Sequence, residues 1–306
     1  MIPYPDRIHF AIGFPFVPSS VIEVWEQLTR HLKEACSLPR QFEVHQTAGH
    51  AERFKSEEDL KLSPSDVAAL IAERNLDGFW VNSGYSARSV GFSLLHAKDA
   101  GPQSELRCRI EKNAQAPDDW GALITSLMNR FPSIGAWQWR QYYQSWQWNC
   151  RVDLGYEQIF GPIPPGFRRT HEASIDGIGP GRTLLDVSLN PGRPKTLLPM
   201  VSFYPTAEMW LGPHFWQYAK CTKEEALAAD FFIEKRDTPH YLYLKCWPHA
   251  FTRPDGEQGH MQQRLWKLFF HEDCEWPPGS GTICDEPRYG PPELMPDCRQ
   301  PEVRKP

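Results

Sequence analysis

Residues 8 to 14, IHFAIGF, alternate so that Ile8, Phe10, Ile12 and Phe14 share one side of an extended chain, the period of a half-buried strand. A helix is predicted next. Ser20 and Glu23 have capping-box spacing, and Val21, Trp25, Leu28, Leu32 and Ala35 continue a single helical stripe. FEVHQT, residues 42 to 47, reads as a second strand. Ser63, Pro64 and Asp66 then supply a cap, a first-turn proline and a first-turn acid for a helix burying Val67, Leu70 and Ile71.

DGFWVNSG (77 to 84), SVGFSLLHA (89 to 97) and LRCRIEK (106 to 112) read as consecutive strands. In the last, Leu106, Cys108 and Ile110 alternate with Arg107, Arg109 and Glu111, which suits antiparallel pairing with one solvated face. Asp118 or Asp119 can cap a helix in which Trp120, Leu123, Ile124, Leu127, Met128 and Phe131 follow i, i+3, i+4, i+7 spacing. Between 161 and 199 proline and glycine punctuate the chain, so long structured loops are expected, with TLLDVSL (183 to 189) as a strand. Thr222 and Glu225 repeat the capping box. FFIEK and YLYLKCW follow as strands, and a last helix near 256 to 270 carries Met261, Leu265, Leu268 and Phe269.

The predicted fold class is therefore α+β, mainly antiparallel sheets with packed helices. Residues 91 to 131 and 231 to 270 both read strand, strand, helix, which suggests two similar halves without clear sequence identity. The expected division is an N-terminal half over 1–135, a C-terminal half over 136–271 and a proline-rich tail over 272–306. That tail reads as disordered or as an arm docked on the body.

Composition narrows the function. The 306 residues are 41% hydrophobic and 13% aromatic, enough to fill one large core or two modest ones. A formal net charge of −5 offers no general attraction to phosphate backbones, so direct nucleic-acid binding is not expected. No stretch is apolar enough to span a bilayer, and the first residues lack a signal-peptide pattern, so the expected location is the cytoplasm. Cysteines there stay reduced, and Cys108 and Cys246 read as core residues.

Motif by motif, catalytic chemistry finds little support. His45 and His50 are five apart, off the spacing that aligns two ligands on a helix, and HEASI at 171 lacks the second histidine of a zinc protease. His271, Cys274, Cys284 and Cys298 lack the paired short spacings of a zinc knot. GYSAR places Arg88 where a nucleophile elbow around Ser86 needs glycine. GIGPGRT has no Walker lysine, and Pro180 removes a backbone N–H that a phosphate cradle would use. No catalytic residue, metal or cofactor is expected.

The segment WQWRQYYQSWQW, 137 to 148, places four tryptophans and two tyrosines in twelve positions. Trp139, Tyr142, Tyr143 and Trp146 fit a helix face, while Trp137 with Trp139 and Trp146 with Trp148 fit a strand. Glutamines at 138, 141, 144 and 147 match neither period, so an irregular connection, or a helix leading into a strand through WQWNCRV, is expected. The rings can fill a core junction, stack on sugars or bases, or anchor a protein interface.

In general layout the chain resembles bacterial polymorphic-toxin immunity proteins, in particular immunity protein family fifty-two. The resemblance rests on the IHFAIGF strand and the Trp-bearing helix after it, the DGFWVNSGYSARS segment, and GRTLLDVSLNP, and it covers roughly residues 8 to 270. It implies an α+β protein that neutralises a cognate antibacterial toxin, commonly a nuclease delivered by type VI secretion, by non-catalytic blockade. An acidic inhibitor would be steered to the nuclease's basic surface. Contact residues expected on this reading are Glu57, Glu58 and Asp59 in a polar loop, with Trp137 and Trp146 as aromatic anchors. The alternative is an enzyme or carbohydrate-binding protein whose site is assembled from dispersed residues.

Overall fold

The structure, a computed structural model, describes residues 7–15, 41–46, 51–54, 76–82, 90–96, 103–110, 119–147, 162–167, 169–172, 182–185, 190–198 and 201–272, together with helical residues 23, 24, 27, 28, 30 and 31. The class is α+β, as expected. Its frame is a ten-stranded sheet formed by β1 (Ile8–Pro15), β2 (Gln41–Gln46), β3 (Ala51–Phe54), β4 (Leu76–Asn82), β5 (Val90–His96), β6 (Gln103–Ile110), β7 (Gly135–Arg140), β12 (Glu208–Leu211), β13 (Glu234–Asp237) and β14 (Leu242–Lys245). In space the order is β13-β14-β12-β7-β1-β6-β5-β4-β2-β3, and every pairing is antiparallel. Two short hairpins lie apart from it: β8 (Arg169–Glu172) with β9 (Arg182–Leu185), and β10 (Lys195–Leu198) with β11 (Val201–Phe203).

The expected division at 135/136 falls at the start of β7, a central strand that pairs with β1 on one side and β12 on the other. The N- and C-terminal segments thus share one sheet. Among the described helices are α1 (Gly121–Arg130), α2 (Gln141–Ser145), α3 (Lys223–Ala228) and α4 (Gly256–Phe270). The element order strand, strand, helix holds for β5, β6, α1 and for β13, β14, α4, but the two helices cover opposite faces of the sheet.

Strand register explains those faces. Phe10 and Ile12 of β1 point to one side, where Trp120 at the start of α1 meets Phe10 at 5.5 Å between ring centres and Phe131 at its end meets Phe14 at 6.3 Å. Glu23 pairs with Arg130 at 2.8 Å and Gln27 bonds Ser126 at 2.7 Å, holding those two helical residues beside α1. Ala11, Trp137, Met209 and Leu244 point to the other side, since Ala11 faces Trp137, Trp137 faces Met209 and Met209 faces Leu244. There they form a core with Phe203, Phe215, Leu265, Trp266, Phe269 and Phe270, all buried. Each such side chain contributes about 1.5–3 kcal/mol of transfer free energy, so α4 is held chiefly by its apolar stripe.

The aromatic segment reverses the expected order. Residues 135–140 form the strand and 141–145 the helix, so a strand leads into a helix. The third-residue glutamines are each placed by that switch. Gln138 points to the α1 face, Gln141 accepts from Trp139 Nε1 at 3.3 Å, and Gln144 donates to the Gly192 carbonyl at 3.2 Å. The Gln147 carbonyl accepts from Asn190 Nδ2 at 2.9 Å. Residues 190–193 are a fully buried turn, an irregular polar segment inside the core, with the Pro191 carbonyl accepting from Trp266 Nε1 at 2.9 Å and Arg193 lying 5.0 Å over the Trp266 ring. Buried turns of this kind need their backbone groups satisfied from outside the segment, which is what Gln144 and Trp266 do.

Candidate functional site

A cleft of about 430 Å³ opens on the α1 side of the sheet, where the N-terminus of α1 stops short of the C-terminal strands. Its floor is Ile8 of β1 with Gln138 and Arg140 of β7. One wall is Asp119, just ahead of α1; the other is Ala207 and Glu208 at the start of β12 with the 248–250 loop, including His249.

Gln138 organises this cleft. Its Nε2 donates to Glu208 Oε2 at 2.9 Å and to Asp119 Oδ1 at 3.2 Å, and its Oε1 accepts from the Trp120 backbone N–H at 3.3 Å. Both N–H donors and the carbonyl oxygen of the amide are therefore engaged, which fixes its orientation. Asp119 also accepts from the Gly121 N–H at 2.8 Å, so the same carboxylate satisfies an otherwise orphaned donor at the helix start. Of the two acids considered for capping this helix, Asp119 makes a bond to its first turn. Trp120 is anchored from the other side by its Nε1, which donates to the Ile8 carbonyl at 2.7 Å.

Beyond the cleft the polar row continues across the strands. Glu208 pairs with Lys245 on β14, and Lys245 sits opposite Glu234 on β13. The side chains of Glu208 and Lys245 are 18% and 22% exposed, so this pair is partly shielded from water, and removing one partner would leave the other charge poorly solvated. Next to the row, the Tyr243 hydroxyl is held above its ordinary value, first by burial and then by the nearby Glu208 and Glu234 carboxylates. Burial is the larger cause, and the two carboxylates add to it.

A second polar cluster lies on the opposite face. Glu105, fully buried on β6, pairs with Arg107, whose Nη2 lies 3.4 Å from the Tyr204 hydroxyl. Burial raises the Glu105 carboxyl, and Arg107 partly opposes that. Tyr204 in turn stacks on Trp139 with ring centres 4.4 Å apart. Arg107 is 47% exposed, so the cluster ties the surface to the core.

The sequence-predicted contact residues fare differently. Glu57, Glu58 and Asp59 lie outside the described residues. Trp137 and Trp146 are each 0% exposed, packed within this chain's own core, Trp137 against Phe203 at 6.0 Å and Tyr204 at 6.1 Å. The expectation that they anchor a partner is corrected: the rings are spent on the fold. Cys108, Cys221 and Cys246 are buried free thiols, and burial pushes Cys221 up to about 11 and Cys246 up to about 12, so neither is a ready thiolate at neutral pH. Ser86 and residues 273–306 lie outside the described residues. Among the described residues no group of three metal-ligating side chains converges, and no helix is long and apolar enough to cross a membrane.

Sequence reasoning missed the cleft because its members are scattered: Asp119 was read only as a cap, and Gln138 only as one of four repeating glutamines. The nearest available signal was Gln138 itself, a polar residue in a strand otherwise rich in buried aromatics.

The fold and cleft define an α+β protein with a polar recess at the edge of a helix-covered half-sheet. No family model matches the chain, and no curated protein matches it. Among solved structures it is similar to "Pseudomonas aeruginosa T6SS protein PA0821", at 11% identity and a TM-score of 0.47, over 95% of this chain and 84% of that one.

Proposed function

We propose that this protein is an immunity protein of the type VI secretion world, which binds a cognate antibacterial toxin, a nuclease, and neutralises it by occupying its surface in the cytoplasm. The observation that carries the reading is the state of the cleft carboxylates. Glu208 and Asp119 are held by the N–H groups of Gln138, by the Gly121 N–H and by Lys245, donors that fix the direction of each carboxylate. Carboxylates locked in this way are pre-organised for recognition, because little side-chain freedom is left to lose on binding. The layout resemblance to immunity protein family fifty-two supports the same reading, as does the net charge of −5, which suits a basic nuclease surface.

The test is co-expression with the product of the neighbouring gene as the candidate toxin. Growth rescue together with a stoichiometric complex on gel filtration is the expected outcome. Rescue with no complex would replace blockade by enzymatic detoxification, and no rescue at all would remove the immunity reading.

A further inference from the structure

We infer that the cleft is a socket for an arginine side chain presented by the partner protein, with Asp119 and Glu208 as its two jaws and Gln138 as the residue that sets their spacing. This deepens the immunity reading and rests on it for the partner's identity. The cleft is a concave recess of about 430 Å³, large enough for a guanidinium and its stem together with a turn of the chain that carries it.

The geometry selects the cation. Both carboxylates accept from the same Gln138 nitrogen, at 2.9 and 3.2 Å, so their bonded oxygens lie no farther apart than those two bonds laid end to end. Two like charges at that spacing repel, and a planar fork of N–H donors relieves the repulsion at both ends at once. A lysine ammonium can bridge the same two oxygens only through one nitrogen, as Gln138 Nε2 does, whereas a guanidinium meets each carboxylate with its own N–H. Lys245 already pairs with the far oxygen of Glu208 and so meets part of the demand, whereas among the described residues Asp119 accepts from the amide N–H groups of Gly121 and Gln138. The recess is not uniformly acidic. Arg140 forms part of its floor, so the acidic groups are confined to the two walls, at Asp119 and Glu208.

The first experiment needs no toxin. The ¹⁵N-labelled chain is titrated with N-acetyl-L-arginine amide and, separately, with its neutral isostere N-acetyl-L-citrulline amide, while the Gln138 side-chain amide resonances are followed. A saturable shift with the arginine compound alone is expected, weakening about fivefold or more in high salt. Asp119→Asn keeps the oxygen that bonds Gly121 and Gln138 but removes the charge, and is expected to abolish the shift with the rest of the spectrum unchanged. Equal shifts from both compounds, no shift from either, or an undiminished shift in Asp119→Asn would each overturn the socket.

The second experiment uses the cognate toxin. Asp119→Asn and Asp119→Lys are expected to weaken the complex by about tenfold or more when binding is measured well below the melting temperature, which Asp119→Lys lowers by removing the acceptor of the Gly121 N–H. A toxin that binds the folded Asp119→Lys chain as tightly as the wild type would show that the socket is not in the interface. A toxin that does not bind the wild type at all would instead remove the immunity reading, and the arginine titration would still judge the recess by itself.

Discussion

His9 of β1 lies directly opposite Trp139 of β7, 8% exposed, with its Nε2 buried and unpartnered. Burial lowers the ring from its ordinary 6.5 to about 3, so the folded chain keeps it neutral while the unfolded chain takes up a proton below 6.5. The stability it contributes is present above pH 6.5 and is lost as pH falls toward about 3. Between those limits unfolding should become easier by about 1.4 kcal/mol for each pH unit from this group alone. His9→Phe, which retains an aromatic ring without the titration, should flatten the slope of denaturant-measured stability between pH 6.5 and 4. An unchanged slope would remove His9 as its origin.

Glu105 works in the opposite sense. Its carboxyl is raised by burial, so the stability linked to it is complete below the ordinary carboxyl range and is lost as pH rises through its raised value. Its partner Arg107 is half exposed and can return to water. Glu105→Gln should therefore raise stability at pH 7 by about 1 kcal/mol and leave it little changed at low pH. Chemical denaturation at both pH values reads the difference directly.

Gly259 sits in the first turn of α4, where a surface position would gain about 1 kcal/mol from alanine. Here an added Cβ would lie 2.1 Å from the Pro254 carbonyl oxygen and 2.7 Å from its carbon, both backbone atoms. The clash wins. Gly259→Ala should destabilise by about 2 kcal/mol in thermal unfolding, the sign being opposite to that of helix propensity.

Trp137→Ala and Trp146→Ala should each cost about 3–5 kcal/mol of folding stability, because both indoles are enclosed by this chain. Binding measured well below the melting temperature should change far less than the melting temperature itself. A large affinity loss in a still-folded variant would return these rings to the interface.

Local signals in the sequence were good guides where one element decides its own fate. The alternation of Ile8 to Phe14 gives β1, the stripe from Trp120 to Phe131 gives α1, and the Thr222–Glu225 capping box appears with both reciprocal bonds, at 3.1 and 2.7 Å. Pairing across the chain was not legible. β12, a central strand of only four residues, escaped notice because so short a run carries no clear period, and its strand state depends on β7 and β14 on either side. The same holds for the 190–193 turn: proline and glycine announced a loop, and only the packing of α4 and the glutamines placed it inside the core. The cleft was hidden for a related reason. Asp119, Gln138 and Glu208 are joined by one amide group, a relationship that no spacing along the chain encodes.

At one end of the sheet β13 runs Glu234, Lys235, Arg236, Asp237, all four exposed. Read in either direction the order is acid, base, base, acid. These charges are already matched within their own chain: Arg236 pairs with Glu234 at 3.7 Å and lies 4.6 Å over the Tyr243 ring, Asp237 pairs with Lys223, and Lys235 donates to the Leu227 carbonyl at 2.6 Å. A further strand laid along this border would have to strip water from four charged side chains, a cost that blunts the open edge of a sheet already ten strands wide.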